Sequence, residues 1–157
     1  MRHVLSVLVS NHAGVLSRVS GLFSRRGYNI DSLSVGTTED PNFSRITVAV
    51  QGDDLVIEQI RKQVEKLVDV LEVAELFPES AVFRELCFIK VKADAKSRLE
   101  IFSIADIFRA NIIDVSPASL TVEMTGDQGK LKAFFDLMEP YGVLSIVRTG
   151  LTGISRG

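Results

Sequence analysis

Twice along this chain the spacing of apolar residues changes in the same order, and that order leaves few folds open. Val4-Leu5-Ser6-Val7-Leu8-Val9 is a short apolar run that reads as a mostly buried strand. Val15, Leu16, Val19, Leu22 and Phe23 then recur at helical spacing, which predicts an amphipathic helix from Val15 to Arg26. Arg25 and Arg26 suit the negative end of that helix, and Gly27 is a natural stop. A second strand follows from Ile30 to Thr38, then a turn at Glu39-Asp40-Pro41-Asn42. In the third strand Ile46, Val48 and Val50 face one way, and Arg45, Thr47, Ala49 and Gln51 face the other. The sheet is therefore expected to have one well-buried face and one more polar face. Gly52-Asp53-Asp54 caps a second helix, Leu55 to Leu67, with Ile57, Ile60, Val64 and Leu67 on one side. Asp69 to Phe77 reads as a fourth strand, and Pro78-Glu79-Ser80 breaks the pattern.

The second half repeats the layout without evident sequence identity. Phe83 to Lys92 is a strand. Ser97 to Arg109 is a helix with Ile101, Ile104, Ala105 and Phe108 inward. Ile112–Val115 and Leu120–Met124 flank a Ser116-Pro117-Ala118-Ser119 turn. Lys130 to Glu139 is a helix, and Val143 to Thr149 closes the set. The predicted fold class is α+β, with two tandem ferredoxin-like βαββαβ domains, residues 1-78 and 79-157. Each is a four-stranded antiparallel sheet with both helices on one face. The tail from Thr149 to Gly157 is Gly-rich and is expected to be mobile until a partner orders it.

Composition narrows the function. Hydrophobic residues make up 46% and charged residues 24% of 157, a globular balance. A net charge of −2 argues against a general electrostatic hold on nucleic acid or an acidic membrane. No apolar run approaches the roughly 18 residues of a membrane span, and no signal peptide is visible. The single Cys87 lies in the apolar run Leu86-Cys87-Phe88-Ile89 and is expected to be a buried small side chain. One cysteine forms no internal disulfide, which fits a reducing compartment; the expected location is the cytoplasm.

Between the first strand and first helix lies Asn11-His12-Ala13-Gly14-Val15-Leu16. A strand that turns into a helix through Asn and Gly presents free backbone N–H groups at the positive end of the helix dipole, a setting for a carboxylate. Gly14 lets a ligand approach the backbone closely. Asn11 both donates and accepts, which suits a free amino acid. The same residues also fit an ordinary capped helix in which Asn11 satisfies its own backbone.

Catalytic chemistry is hard to assemble. His3, His12 and Cys87 have no metal-ligand spacing. There is no Walker-type phosphate loop and no Gly-x-Gly-x-x-Gly fingerprint. Ser20-Gly21 falls inside a helix and makes no nucleophile elbow. Glu39-Asp40 and Asp53-Asp54 sit in turns, where turn chemistry explains them. No catalytic residue and no metal site is assigned, so the chain is expected not to be an enzyme by itself.

Several segments carry a resemblance. Leu5 to Val9, the Asn11…Gly14-Val15-Leu16-Ser17-Arg18-Val19 loop and helix, and Gly21-Leu22-Phe23-Ser24-Arg25-Arg26-Gly27-Tyr28-Asn29-Ile30-Asp31-Ser32-Leu33 are similar to the ACT domain of the small, regulatory subunit of acetolactate synthase. So are Ser44-Arg45-Ile46-Thr47 and Lys66-Leu67-Val68-Asp69-Val70. In the second half Phe108-Arg109-Ala110-Asn111-Ile112-Ile113-Asp114-Val115, Gly129-Lys130-Leu131 and the ending Gly150 to Gly157 join in. The resemblance makes residues 1-78 an effector-binding, dimerising ACT domain. It implies a non-catalytic subunit of branched-chain amino acid biosynthesis that stimulates a separate large catalytic subunit. That partner would carry thiamine diphosphate, magnesium and FAD, with no cofactor in this chain. The resemblance also implies feedback inhibition by valine or another branched-chain amino acid, held between two copies of the chain. Asn11 and Gly14 match the loop half of such a site, and Asn29 and Ile30 match the half across the dimer. Ala13, Val15 and Leu16 join by position. The alternative is a free-standing ACT-type amino-acid sensor acting on another enzyme or on transcription. No helix-turn-helix is apparent, so DNA contact would need a second protein.

Overall fold

The computed structural model describes residues Met1–Gly157 and divides into two compact units, Met1–Phe83 with Leu151–Gly157, and Arg84–Gly150. The first unit runs β1 (Arg2–Ser10), α1 (Val15–Arg25), β2 (Ile30–Thr37), β3 (Phe43–Gln51), α2 (Asp54–Glu65) and β4 (Val70–Leu76). Its strands lie in the order β2-β3-β1-β4, every neighbouring pair antiparallel. This is the ferredoxin-like arrangement, which places β1 and β2 parallel to each other with β3 between them. Leu5 pairs with Val48 and Val7 with Ile46. Val15, Val19, Leu22 and Phe23 from α1, with Ile57, Ile60 and Val64 from α2, pack over them as one core. The helical spacing thus turns both apolar stripes to the same face of the sheet.

The second unit repeats the order with β5 (Ala81–Lys92, its first residues belonging to the first unit), α3 (Ala95–Ile107), β6 (Asn111–Ser116), β7 (Ser119–Gly126), α4 (Gln128–Met138) and β8 (Val143–Arg148). The sheet order is β6-β7-β5-β8, again antiparallel throughout. Ile89, Val91, Ile101, Leu120, Val122, Phe134 and Met138 form its core. Cys87 lies among them, and burial pushes its thiol above the usual range, as suits a packing residue rather than a nucleophile.

A repeat that the residues conceal is plain in the backbone. After α1 the N–H of Tyr28 reaches back to the carbonyl of Phe23 at 3.0 Å, with Gly27 left-handed at φ 69°. After α3 the N–H of Ala110 reaches the carbonyl of Ala105 at 2.8 Å, with Arg109 left-handed at φ 57°. Asn-Ile follows both turns, as Asn29-Ile30 and Asn111-Ile112. The first copy has the glycine such a helix end favours; the second carries a Cβ there at a steric cost. Arg109→Gly is therefore expected to stabilise the second unit by up to about 1 kcal/mol, measured by urea denaturation. A loss of stability would mean that the Arg109 side chain contributes more than its backbone conformation costs.

The tail departs from expectation. Instead of hanging loose from the second domain it belongs to the first unit, where β9 (Thr152–Ser155) pairs with β5. Leu151 is buried with Val4, Ala49, Leu76 and Ala81 on the sheet face away from the helices. The Leu151 N–H donates to Ser32 Oγ at 3.3 Å, and Ser34 Oγ donates to the Leu151 carbonyl at 3.2 Å. Part of the face expected to be polar is therefore a second, small apolar layer. Gly153 is what permits it: a Cβ there would stand 2.5 Å from Phe83 Cδ1 and 3.2 Å from Leu76 Cδ1. The glycine that suggested mobility is a close-packing residue. Gly153→Ala is expected to cost roughly 1–3 kcal/mol by overpacking. Amide exchange should show it as lost protection across residues 151–155; unchanged protection there would contradict the packing.

Candidate functional site

The β1–α1 loop is braced from two sides. Asn11 N–H donates to the Asn42 carbonyl at 2.7 Å, and Asn11 Nδ2 donates to the Pro41 carbonyl at 2.9 Å. These bonds use the donor side of the Asn11 amide and leave Oδ1 as an acceptor. Ser10 N–H donates to the Asp69 carbonyl at 2.9 Å, tying the end of β1 to the α2–β4 turn. Gly14 occupies the N-cap of α1 with φ 86°, and no side chain caps the helix. Its first turn holds no acidic residue. The N–H groups of Leu16 and Ser17 thus remain for a ligand, at the positive end of the dipole.

The other helices contrast with this. Asp53 caps α2 by accepting from Val56 N–H, and Asp127 caps α4 by accepting from Lys130 N–H. Asp94 caps α3 by accepting from Lys96 and Ser97, and those hydrogen bonds, from Ser97 foremost, hold its carboxyl below the usual range. The second unit therefore fills with its own carboxylate the place that the first unit leaves open. Asn11 is not such a cap in α1: its amide is committed to Pro41, so the capped-helix reading of the loop does not hold.

The remaining residues divide. Ala13 and Leu16 are exposed beside Gly14. Val15 is buried at 2%, its side chain belongs to the core and its N–H donates to the His12 carbonyl at 3.4 Å, so it offers a ligand nothing directly. Asn29 is exposed and Ile30 half-buried at the start of β2, the sheet's edge strand. Ser10 pairs with Phe43 and Ile30 with Val50, the two ends of β3. Seven residue steps separate those partners, about 23 Å along the strand. One copy thus holds Asn11 and Gly14 at one end of its sheet and Asn29 and Ile30 at the other. A single small ligand cannot touch both sets within one chain.

Two residues escaped the sequence reading. The Arg18 guanidinium bonds Asp69 Oδ2 through Nε at 2.7 Å and Nη2 at 2.5 Å, and His12 Nε2 stands 3.4 Å from Asp69 Oδ1. Arg18 sits one turn into α1 and its side chain returns to the helix start, where a Cβ on Gly14 would lie 3.1 Å from Nη1. The partners are 51 residues apart, so no local spacing advertises them. No group of three or more His, Cys, Asp or Glu side chains gathers as a cation cage, and no helix is long and apolar enough to cross a membrane.

Comparison with known proteins decides the family. Residues 5–72 match the family model described as an AHAS small subunit-like ACT domain, and residues 84–157 match that of the small subunit of acetolactate synthase. The chain is 52% identical over 157 residues to a probable acetolactate synthase small subunit of Archaeoglobus fulgidus, covering 100% of this chain and 98% of that one. The chain belongs to the acetolactate synthase small-subunit family. It is also 48% identical over 158 residues to the acetolactate synthase isozyme 3 small subunit of Escherichia coli, covering 100% and 97% of the two chains. The crystal structure of the acetolactate synthase small subunit from Thermotoga maritima superposes with a TM-score of 0.93 at 44% identity, covering 100% of this chain and 98% of that one. The small-subunit fold, an ACT domain followed by a second ferredoxin-like unit, is thus the fold described above.

Proposed function

We propose that this chain is a non-catalytic regulatory subunit that stimulates the large, thiamine-diphosphate-dependent subunit of acetolactate synthase and makes it sensitive to valine or a related branched-chain amino acid. The effector lies between the ACT units of two copies. The observation that carries this reading is the separation of the two candidate sets along β3. In an antiparallel pair of copies the loop end of one sheet meets the β2 start of the other, so each of two equivalent sites is completed by the partner. The α-carboxylate rests on the open start of α1, Asn11 Oδ1 accepts from the ammonium, and Asn29 of the second copy supplies a further amide. Leu16 and Ile30 offer apolar surface to the effector side chain. Thiamine diphosphate, magnesium and FAD belong to the catalytic partner in this reading, and both proteins work in the cytoplasm.

Inhibition then needs a coupling of about 1–3 kcal/mol between this clasp and the catalytic partner. An interface site supplies one, because the effector changes how two copies sit against each other. The test is reconstitution of the purified chain with the catalytic subunit under increasing valine. The rate should rise on adding the chain and fall again with valine. A rate indifferent to both additions would sink the reading and favour a free-standing sensor.

A further inference from the structure

We propose that Arg18 recognises the effector's α-carboxylate and that Asp69 is the positioning residue that aims it. The inference rests on the effector site proposed above and adds a specificity determinant to it. A cation at the N-terminus of its own helix is placed against the dipole, which favours anions there. Arg18 occupies that place all the same, since its Nη1 reaches the space a Gly14 side chain would fill. It is held there by a carboxylate that is itself nearly buried: the Asp69 side chain is 11% exposed and the Arg18 side chain 50%. Nε and Nη2 both serve Asp69 Oδ2, which turns the Nη1 edge of the fork away from Asp69 and toward Gly14.

A guanidinium fixed along one edge and open along the other is pre-organised for a second carboxylate. His12 Nε2 stands 3.4 Å from Asp69 Oδ1, a further polar neighbour on the side of the carboxylate away from the two Arg18 contacts to Oδ2. Gly14 is then required twice. It exposes the helix N–H groups, and it leaves the gap through which Nη1 meets the same anion. The chemistry selects a ligand with a free carboxylate, and it penalises an amide or ester of the same amino acid. Neutralisation by Asp69 leaves the empty pair without net charge, so recognition depends on direction and not on a bare positive patch.

Calorimetric titration of the full chain with L-valine and with L-valinamide, which lacks the carboxylate, tests this. The wild type should prefer valine. In Arg18→Met the affinity for valine should fall roughly tenfold or more, as expected for loss of a charge-assisted hydrogen bond, while that for valinamide stays the same. Arg18→Lys, which keeps the charge without the fork, should fall between. Thermal melting of each variant establishes that it is folded. Equal weakening of both ligands, or unchanged valine binding in folded Arg18→Met, would overturn the assignment and leave the effector site standing. A wild-type chain that binds no valine would remove the site itself, and this proposal with it.

Discussion

Gly14→Asp should abolish valine binding while the protein still folds. The new carboxylate would stand at the open start of α1, where the effector's own carboxylate is placed. Like charges brought together in a binding site cost several kcal/mol, equivalent to at least a hundredfold in affinity. Geometry adds to charge. Gly14 is left-handed at φ 86°, and a Cβ would stand 3.1 Å from Arg18 Nη1. An aspartate there would itself pair with Arg18 and bring to the helix start a carboxylate such as Asp53, Asp94 and Asp127 supply, from extended backbone, in the other three helices. The helix would then be satisfied from within. Calorimetric titration should show no heat of binding at valine concentrations that saturate the wild type, with a cooperative melting transition retained but lowered by the strain of a side chain at φ 86°, about 1 kcal/mol. Binding at wild-type strength would remove Gly14 from the site.

The largest effect on stability is expected from Phe134→Ala. Phe134 is fully buried between α4 and the sheet of the second unit. Its ring meets Phe108 edge to face, with centroids 5.3 Å apart and planes at 67°. Removing a buried phenylalanine side chain costs about 3–5 kcal/mol, because transfer energy is lost and a cavity remains. The aromatic pair adds to that loss. Hydrogen exchange should show protection falling across residues 84–150, with a lower urea midpoint for that unit. A cost under about 1 kcal/mol would mean that the core collapses into the space left behind.

How far these features can be read from the chain alone depends on how local their causes are. Element order, helix faces and the Asp53 cap are written in residues three to eight positions apart, and they appear where spacing puts them. The opening between Asn11 and Gly14 is also local, a turn followed by an uncapped helix. What spacing does not carry is anything closed by distant partners. Arg18 finds Asp69 only after α2 has returned the chain to the end of β1. Asn11 finds Pro41 because the β2–β3 turn lies beside the loop. Val15 falls in the site by position, yet the first residue of the apolar stripe must point to the core. The tail misleads for a related reason. Glycine permits mobility and it permits close packing, and only the position of Phe83 over Gly153 shows which applies. The kinship of the two units is obscured at Arg109, where a bulky residue holds a conformation that glycine holds in the first.

The claim that the site is shared between copies is tested most directly by complementation. Gly14→Asp damages the loop half and Asn29→Ala the β2 half, so each variant alone has both of its sites broken. In a mixed pair one site collects both lesions and the other collects none. After the two variants exchange subunits at equal amounts, about a quarter of all sites should be intact, as a two-fold interface requires, and that fraction should bind valine with wild-type affinity. A mixture that binds no more valine than its separate components would contradict the account and place the effector, if it binds at all, within a single copy.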